Sequence, residues 1–222
     1  MKRVFGPGGI HLLPLPGGFA FAAQQTIDDQ LVVAYNIYSI DKGKVSPITR
    51  SIYLMAKLGQ EYEKYAAGIH DHVNSMAVTL PDGSLLLAHP DGAAKVIDDT
   101  GRTLWKGAFV YRDKGPADLL VMGRSLWGSF PESNCLLRYS LRGMREDLRL
   151  GGSQPSFSEP FGLWRMDECN MLVCNRKSRT IKQVNALSYT VNDYAEFEEP
   201  VLQYIKIGAH EFALLKSGIY RL

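Results

Sequence analysis

Cysteine, surplus charge and long apolar runs are all scarce in this 222-residue chain, and each scarcity excludes something. The three cysteines are Cys135, Cys169 and Cys174. An odd, low count without a framework fits a reducing compartment, so a cytoplasmic protein is expected. Cys169 and Cys174 are five apart. On one strand they would face opposite sides, which suits neither a disulfide nor a shared metal. Cys135 reads as a buried, inert thiol that packs as a small hydrophobe. Lys and Arg number 25 against 23 Asp and Glu, a net charge of +2. No strong field gathers nucleic acid or a membrane surface, and neither partner is expected. No apolar stretch approaches ~18 residues, so no membrane span is expected. The Met1–Gly9 start is broken by Gly and Pro, and Phe19–Ala23 is short and followed by two glutamines. No signal peptide is read there. The sequence also lacks an Asn-x-Ser/Thr site, a phosphate-binding glycine loop, a nucleophile elbow and the His-Glu-x-x-His pattern.

What is present is turn chemistry. Hydrophobic residues make up 45% and charged residues 22%, which excludes disorder, collagen and coiled coil. Short apolar runs are bounded by turns such as Pro16-Gly17-Gly18, Asp41-Lys42-Gly43, Pro81-Asp82-Gly83 and Asp99-Thr100-Gly101. Leu137 to Arg142 alternates apolar and polar residues, the period of a strand with one wet face. The runs recur. Leu86, Trp127, Leu172 and Ala213 occupy comparable places, separated by 41, 45 and 41 residues, and Phe21 precedes Leu86 by 65. Four short strands per ~40 residues is the propeller period.

Units begin near Ile10, Val73, Ala117, Phe161 and Val201. The fifth has only three strands, Val201–Ile207, Phe212–Leu215 and Gly218–Leu222. Lys2–Phe5 supplies its missing outer strand, which closes the ring and removes two free edges. The expected fold is therefore all-β, a five-bladed propeller forming one domain over 1–222. The surplus of the first unit lies at 51–72. There Leu54, Leu58, Tyr62 and Tyr65 make a helical stripe, so a short helix or loop is expected as an insertion. Leu86, Trp127, Leu172 and Val173 are expected in the core. Trp105, Trp127 and Trp164 are expected to pack between blades.

Leu80-Pro81-Asp82-Gly83-Ser84-Leu85-Leu86-Leu87 and Val96-Ile97-Asp98-Asp99-Thr100-Gly101-Arg102-Thr103-Leu104-Trp105 resemble blades of the NHL-repeat, quinoprotein-like and gluconolactonase-like propellers. The resemblance implies architecture alone, since this fold hosts lectins, hydrolases, lyases and scaffolds.

The repeat assigns loops to faces. Loops from outer strand to next inner strand, and from second to third strand, share the face where each inner strand starts, the top. They carry Gly6–Gly9, Gln24–Asp29, His70–Asn74, His89–Gly92, Arg112–Gly115, Pro131–Asn134, Ser153–Glu159, Asn175–Arg179 and Glu198-Glu199. The turns at Pro81-Asp82-Gly83 and Asp99-Thr100-Gly101 fall on the bottom. His70-Asp71-His72 is the chain's one His-x-His. On an extended segment both rings face one side, at a spacing that chelates a divalent metal such as zinc. His89 and Asp91 come from a neighbouring top loop. The plainer alternative is loop histidines bonded to backbone. Glu132, Glu159, Asp113, Glu198 and Glu199 also fall on the top, where two of them could pair as acid and base or all form a solvated rim. Glu132 and Glu159 are the candidate ligand-binding carboxylates. Arg176, Lys177 and Arg179 read as a solvated basic hairpin. These features favour a non-catalytic propeller that engages a protein or small ligand on its top face. The alternative is a metal-assisted hydrolase or lactonase at the channel mouth, with His70 and His72 as ligands.

Overall fold

The computed structural model describes residues 1–27, 30–47, 76–152 and 156–222. It holds five antiparallel four-stranded sheets, and they form a five-bladed β-propeller. From the centre outward, blade 1 is β2 (Gly9–Leu15), β3 (Gly18–Ile27), β4 (Gln30–Ser39) and β5 (Lys44–Pro47). Blade 2 is β6 (Met76–Thr79), β7 (Leu85–Ala88), β8 (Ala93–Ile97) and β9 (Thr103–Ala108). Blade 3 is β10 (Asp118–Met122), β11 (Ser125–Phe130), β12 (Cys135–Ser140) and β13 (Arg145–Gly151). Blade 4 is β14 (Pro160–Arg165), β15 (Asn170–Asn175), β16 (Thr180–Asn185) and β17 (Val191–Glu196). Blade 5 is β18 (Val201–Ile207), β19 (His210–Leu215), β20 (Gly218–Arg221) and, outermost, β1 (Lys2–Phe5).

The ring closure is as expected. Lys2 pairs with Arg221, Arg3 with Tyr220 and Phe5 with Ile219, with an irregularity between Arg3 and Phe5. The strand starts also agree with the repeat to within a few residues. The β3–β4 hairpin is longer than expected: pairing continues through Gln24↔Val33 to Ile27↔Gln30, where a loop was expected from Gln24. The expected insertion at 51–72 lies outside the described residues, and with it His70, Asp71 and His72.

Among the described residues, blades 3, 4 and 5 are packed on both faces by their neighbours, and the second strands carry the most buried stretches. All four residues of β7 are buried, as are Leu126–Phe130 and Met171–Asn175. Four apolar clusters each span two adjacent blades: 2 with 3, 1 with 5, 3 with 4, and 4 with 5. Leu86, Trp127, Leu172 and Val173 are fully enclosed. Trp127 fills the seam of blades 3 and 4, and Trp164 reaches Tyr204 of blade 5 at a ring separation of 6.5 Å. Trp105 is half-buried against the seam of blades 2 and 3. Cys135 is buried, and that burial pushes its thiol pKa up to about 11, an inert thiol at neutral pH.

Candidate functional site at the channel mouth

The starts of the five innermost strands converge on the axis. Gly9 and His11 of β2, Met76 of β6 and Asp118 of β10 line one concavity. Gly162 of β14 and Gln203 of β18 complete the circle. Its volume is about 550 Å³. The top loops add Pro90, Lys114–Ala117, Pro131–Ser133 and Arg176 to its rim. This is the mouth of the central channel, on the face to which the repeat assigns the longer loops.

Glycine sets how closely the walls approach. A Cβ on Gly115 would fall 2.4 Å from both the Pro90 carbonyl oxygen and the Gly92 nitrogen. A Cβ on Gly162 would meet the Leu202 carbonyl at 2.4 Å. Both contacts join neighbouring blades, so a larger residue would force the rim apart.

Polar side chains stitch the inner strands together. The Leu163 amide donates to Asp118 Oδ2 (2.7 Å), and the Leu119 amide donates to Asp118 Oδ1 (2.8 Å). Gln203 spans blades 5 and 1: Oε1 accepts from the Leu12 amide (2.8 Å) and Nε2 donates to the Leu12 carbonyl (2.9 Å). Ser129 donates to the Phe161 carbonyl (2.5 Å), and the Glu159 amide donates to Asn134 Oδ1 (2.8 Å). Burial pushes the Asp118 carboxyl up to about 7, against the pull of its two amide donors. His11 is open to the channel, but the wall crowds it closely enough to lower its pKa, which leaves a neutral ring at neutral pH.

Of the residues singled out from sequence, Glu132 lies on the rim, 3.4 Å from Lys114 Nζ. Glu159 sits beside the mouth, where the Arg176 Nε donates to its Oε2 (2.9 Å). His89 and Asp91 flank the rim residue Pro90. His89 Nδ1 lies 3.0 Å from Asp91 Oδ1, and that oxygen also accepts from the Ala93 amide (2.8 Å). Among the described residues no group of three His, Cys, Asp or Glu is placed to hold a metal. Also among them, no helix is long and apolar enough to cross a membrane.

His11, Asp118 and Gln203 are not marked as site residues by the sequence motifs. One signal was available for Asp118: a carboxylate opening the otherwise apolar run Leu119-Leu120-Val121-Met122, at the start of an inner strand. A lone His or Gln within a strand carries no such mark.

The sequence matches no protein-family model and no curated protein. Solved structures do resemble it. The computationally designed Ika4 protein is 15% identical with a TM-score of 0.51, over 69% of this chain and 93% of that one. The computationally designed Ika8 protein is 12% identical with a TM-score of 0.51, over 96% of this chain and 57% of that one. A catalytically inactive virginiamycin B lyase from Staphylococcus aureus, crystallised with quinupristin, is 10% identical with a TM-score of 0.55. That match covers all of this chain and 85% of the lyase. At these identities the likeness establishes the fold alone.

Proposed function

We propose that the protein is a binding propeller that takes a small ligand at the top mouth of its channel. One observation carries the reading: all five inner strands contribute to a single concavity of about 550 Å³. That volume falls within the roughly 300–1,000 Å³ of small-molecule sites, which favours a small ligand over a protein partner. Its wall is mixed, as such sites are. Met76, Phe130 and Phe161 supply apolar surface, while His11, Lys114, Asp118, Glu132, Arg176 and Gln203 supply polar and charged groups.

The test is a fragment library screened by thermal shift, with hits titrated against Ser133→Trp. Ser133 lines the rim on a short 3-10 turn, so an indole there obstructs the mouth without entering the core. Hits are expected to raise the melting temperature and to lose at least about tenfold in affinity in the variant. Hits that bind the folded variant as well as the parent would overturn the reading.

Catalysis at the same mouth is the second reading, and one observation favours it. Asp118 and His11 line one cavity, where burial raises the carboxyl to about 7 and lowers the imidazole below its ordinary value, so a proton-holding acid and a neutral base share the mouth. This differs from metal-assisted hydrolysis by His70 and His72, which rests on sequence alone. Turnover of a hit, abolished by Asp118→Asn with binding retained, would decide for it.

A further inference from the structure

Beside the mouth, between blades 4 and 5, lies a second concavity of about 470 Å³. Seven residues line it, and four are cations: Arg176, Lys177, Arg179 and Lys216. Glu159 is the single lining carboxylate, and it is already paired with Arg176. Lys177 and Lys216 have no ion-pair partner among the described residues. The nearby Glu199 is occupied by the β19–β20 turn, where it accepts from the Ser217 amide (2.8 Å) and the Ser217 hydroxyl. Uncompensated positive charge is therefore concentrated in this groove, although the whole chain carries only +2.

The cations are held in place. Arg176 lies over the Phe161 ring, 5.2 Å from its centroid, while its Nε is fixed by Glu159. Arg179 donates from Nη1 to the Glu198 carbonyl (3.1 Å). The backbone beneath the lysines is pinned as well: the Lys177 amide donates to the Ser158 carbonyl (3.3 Å) and the Lys216 amide to the Pro200 carbonyl (3.1 Å). Two anchored guanidinium groups, with the two lysines rooted on pinned backbone beside them, suit an oxyanion, because the guanidinium half of the site needs little further ordering on binding.

We propose that this groove is an oxyanion subsite, which takes the phosphate or carboxylate group of the ligand whose remainder occupies the channel mouth. The two concavities share Arg176 and Leu202 in their walls, so one molecule reaches both. The identity of the ligand as an amphiphilic anion rests on the binding reading above. The oxyanion site itself does not.

The experiment titrates inorganic phosphate and hexyl phosphate by calorimetry and by amide chemical shifts. Four proteins are compared: parent, Lys177→Ala with Lys216→Ala, Lys42→Ala with Lys95→Ala, and Ser133→Trp. Lys42 and Lys95 are exposed and away from the groove, so that pair removes the same charge elsewhere. All four substituted lysines are exposed, so both double variants should fold. The groove variant is expected to weaken both phosphates by about tenfold, the control pair by far less. Phosphate that fails to bind, or equal losses in the two double variants, would overturn the subsite. The alkyl group reads the channel separately. Hexyl phosphate should bind more tightly than phosphate, and Ser133→Trp should remove only that gain. Phosphate held in the groove with the alkyl gain intact in Ser133→Trp would sustain the subsite and sink the channel reading.

Discussion

On the bottom face, Asp82 Oδ1 accepts from the Ser84 amide (3.0 Å) and hydroxyl (2.6 Å). Asp98 does the same with the Thr100 and Arg102 amides, and Asp167 with those of Cys169 and Asn170. Every one of these partners is two to four residues away. On the top face, Asp118 reaches Leu163 across 45 residues, Asn134 reaches Glu159 across 25, and Gln203 reaches Leu12 across 191. Local bonds occur on that face too, in the His89–Asp91 loop, between Ser178 and Thr180, and from the Leu119 amide to Asp118. The three bottom turns thus satisfy themselves, although in the β16–β17 bottom turn of blade 4 the Tyr189 hydroxyl accepts from Arg138 of blade 3 (2.7 Å). The top is built between blades, and only the closed ring assembles it. A site that depends on assembly is held rigidly, and rigidity is what a binding site requires.

The largest effect should come from opening the ring. Deleting Met1–Phe5 removes the outer strand of blade 5 and exposes the edge of β20. A fall of roughly 10 °C or more in melting temperature is expected, with aggregation. An unchanged melting curve would show that assembly does not rest on the closure.

A pair of alanines sharpens the contrast of faces. Gly115→Ala drives a methyl group into the Pro90 carbonyl at the top rim and should cost ~1–3 kcal/mol. Gly143, in the bottom turn of blade 3, has no atom within 4 Å of an added Cβ. Gly143→Ala should stay within ~0.5 kcal/mol. Denaturant titration measures both, and equal costs would erase the distinction.

The two faces should also respond to pH with opposite sign. Asp118 holds its proton up to about 7 in the folded protein, whereas the unfolded chain releases it near the ordinary value of 3.8. Between those values the folded state binds more protons, so this group's contribution to stability declines as pH rises from about 4 to about 7. Hydrogen bonds from the turn hold Asp82, Asp98 and Asp167 below the ordinary carboxylate range. Their contribution is present above 3.8 and is lost as pH falls below it. Asp118→Ala leaves the buried Leu163 amide without its acceptor and should cost ~1–3 kcal/mol at pH 5, less at pH 8, where the parent bears the buried charge. Asp82→Ala should cost ~0.5–1.5 kcal/mol, with no decline between pH 5 and 8. Urea unfolding of both variants across that range reads the two signs.

The same contrast explains what the sequence disclosed. Pro81-Asp82-Gly83 and Asp98-Asp99-Thr100-Gly101 announce themselves because their chemistry is complete within a few residues. From such turns and the spacing of Leu86, Trp127, Leu172 and Ala213, the blade count and the closing strand followed. The face assignment followed as well, which put Glu132 and Glu159 at or beside the mouth. Asp118, His11 and Gln203 did not follow, because each acquires its role only when a distant strand arrives beside it. The Arg176-Lys177-Arg179 hairpin was visible, but Lys216 joins it from blade 5. The groove exists only between the two blades.

Hydrogen exchange with and without the first screening hit tests the central claim, that function resides on the assembled top face. Protection should rise at residues 114–119, 131–134, 159–163 and 202–204, while the bottom turns at 81–84, 98–102 and 167–170 stay unchanged. Protection confined to those bottom turns would contradict it.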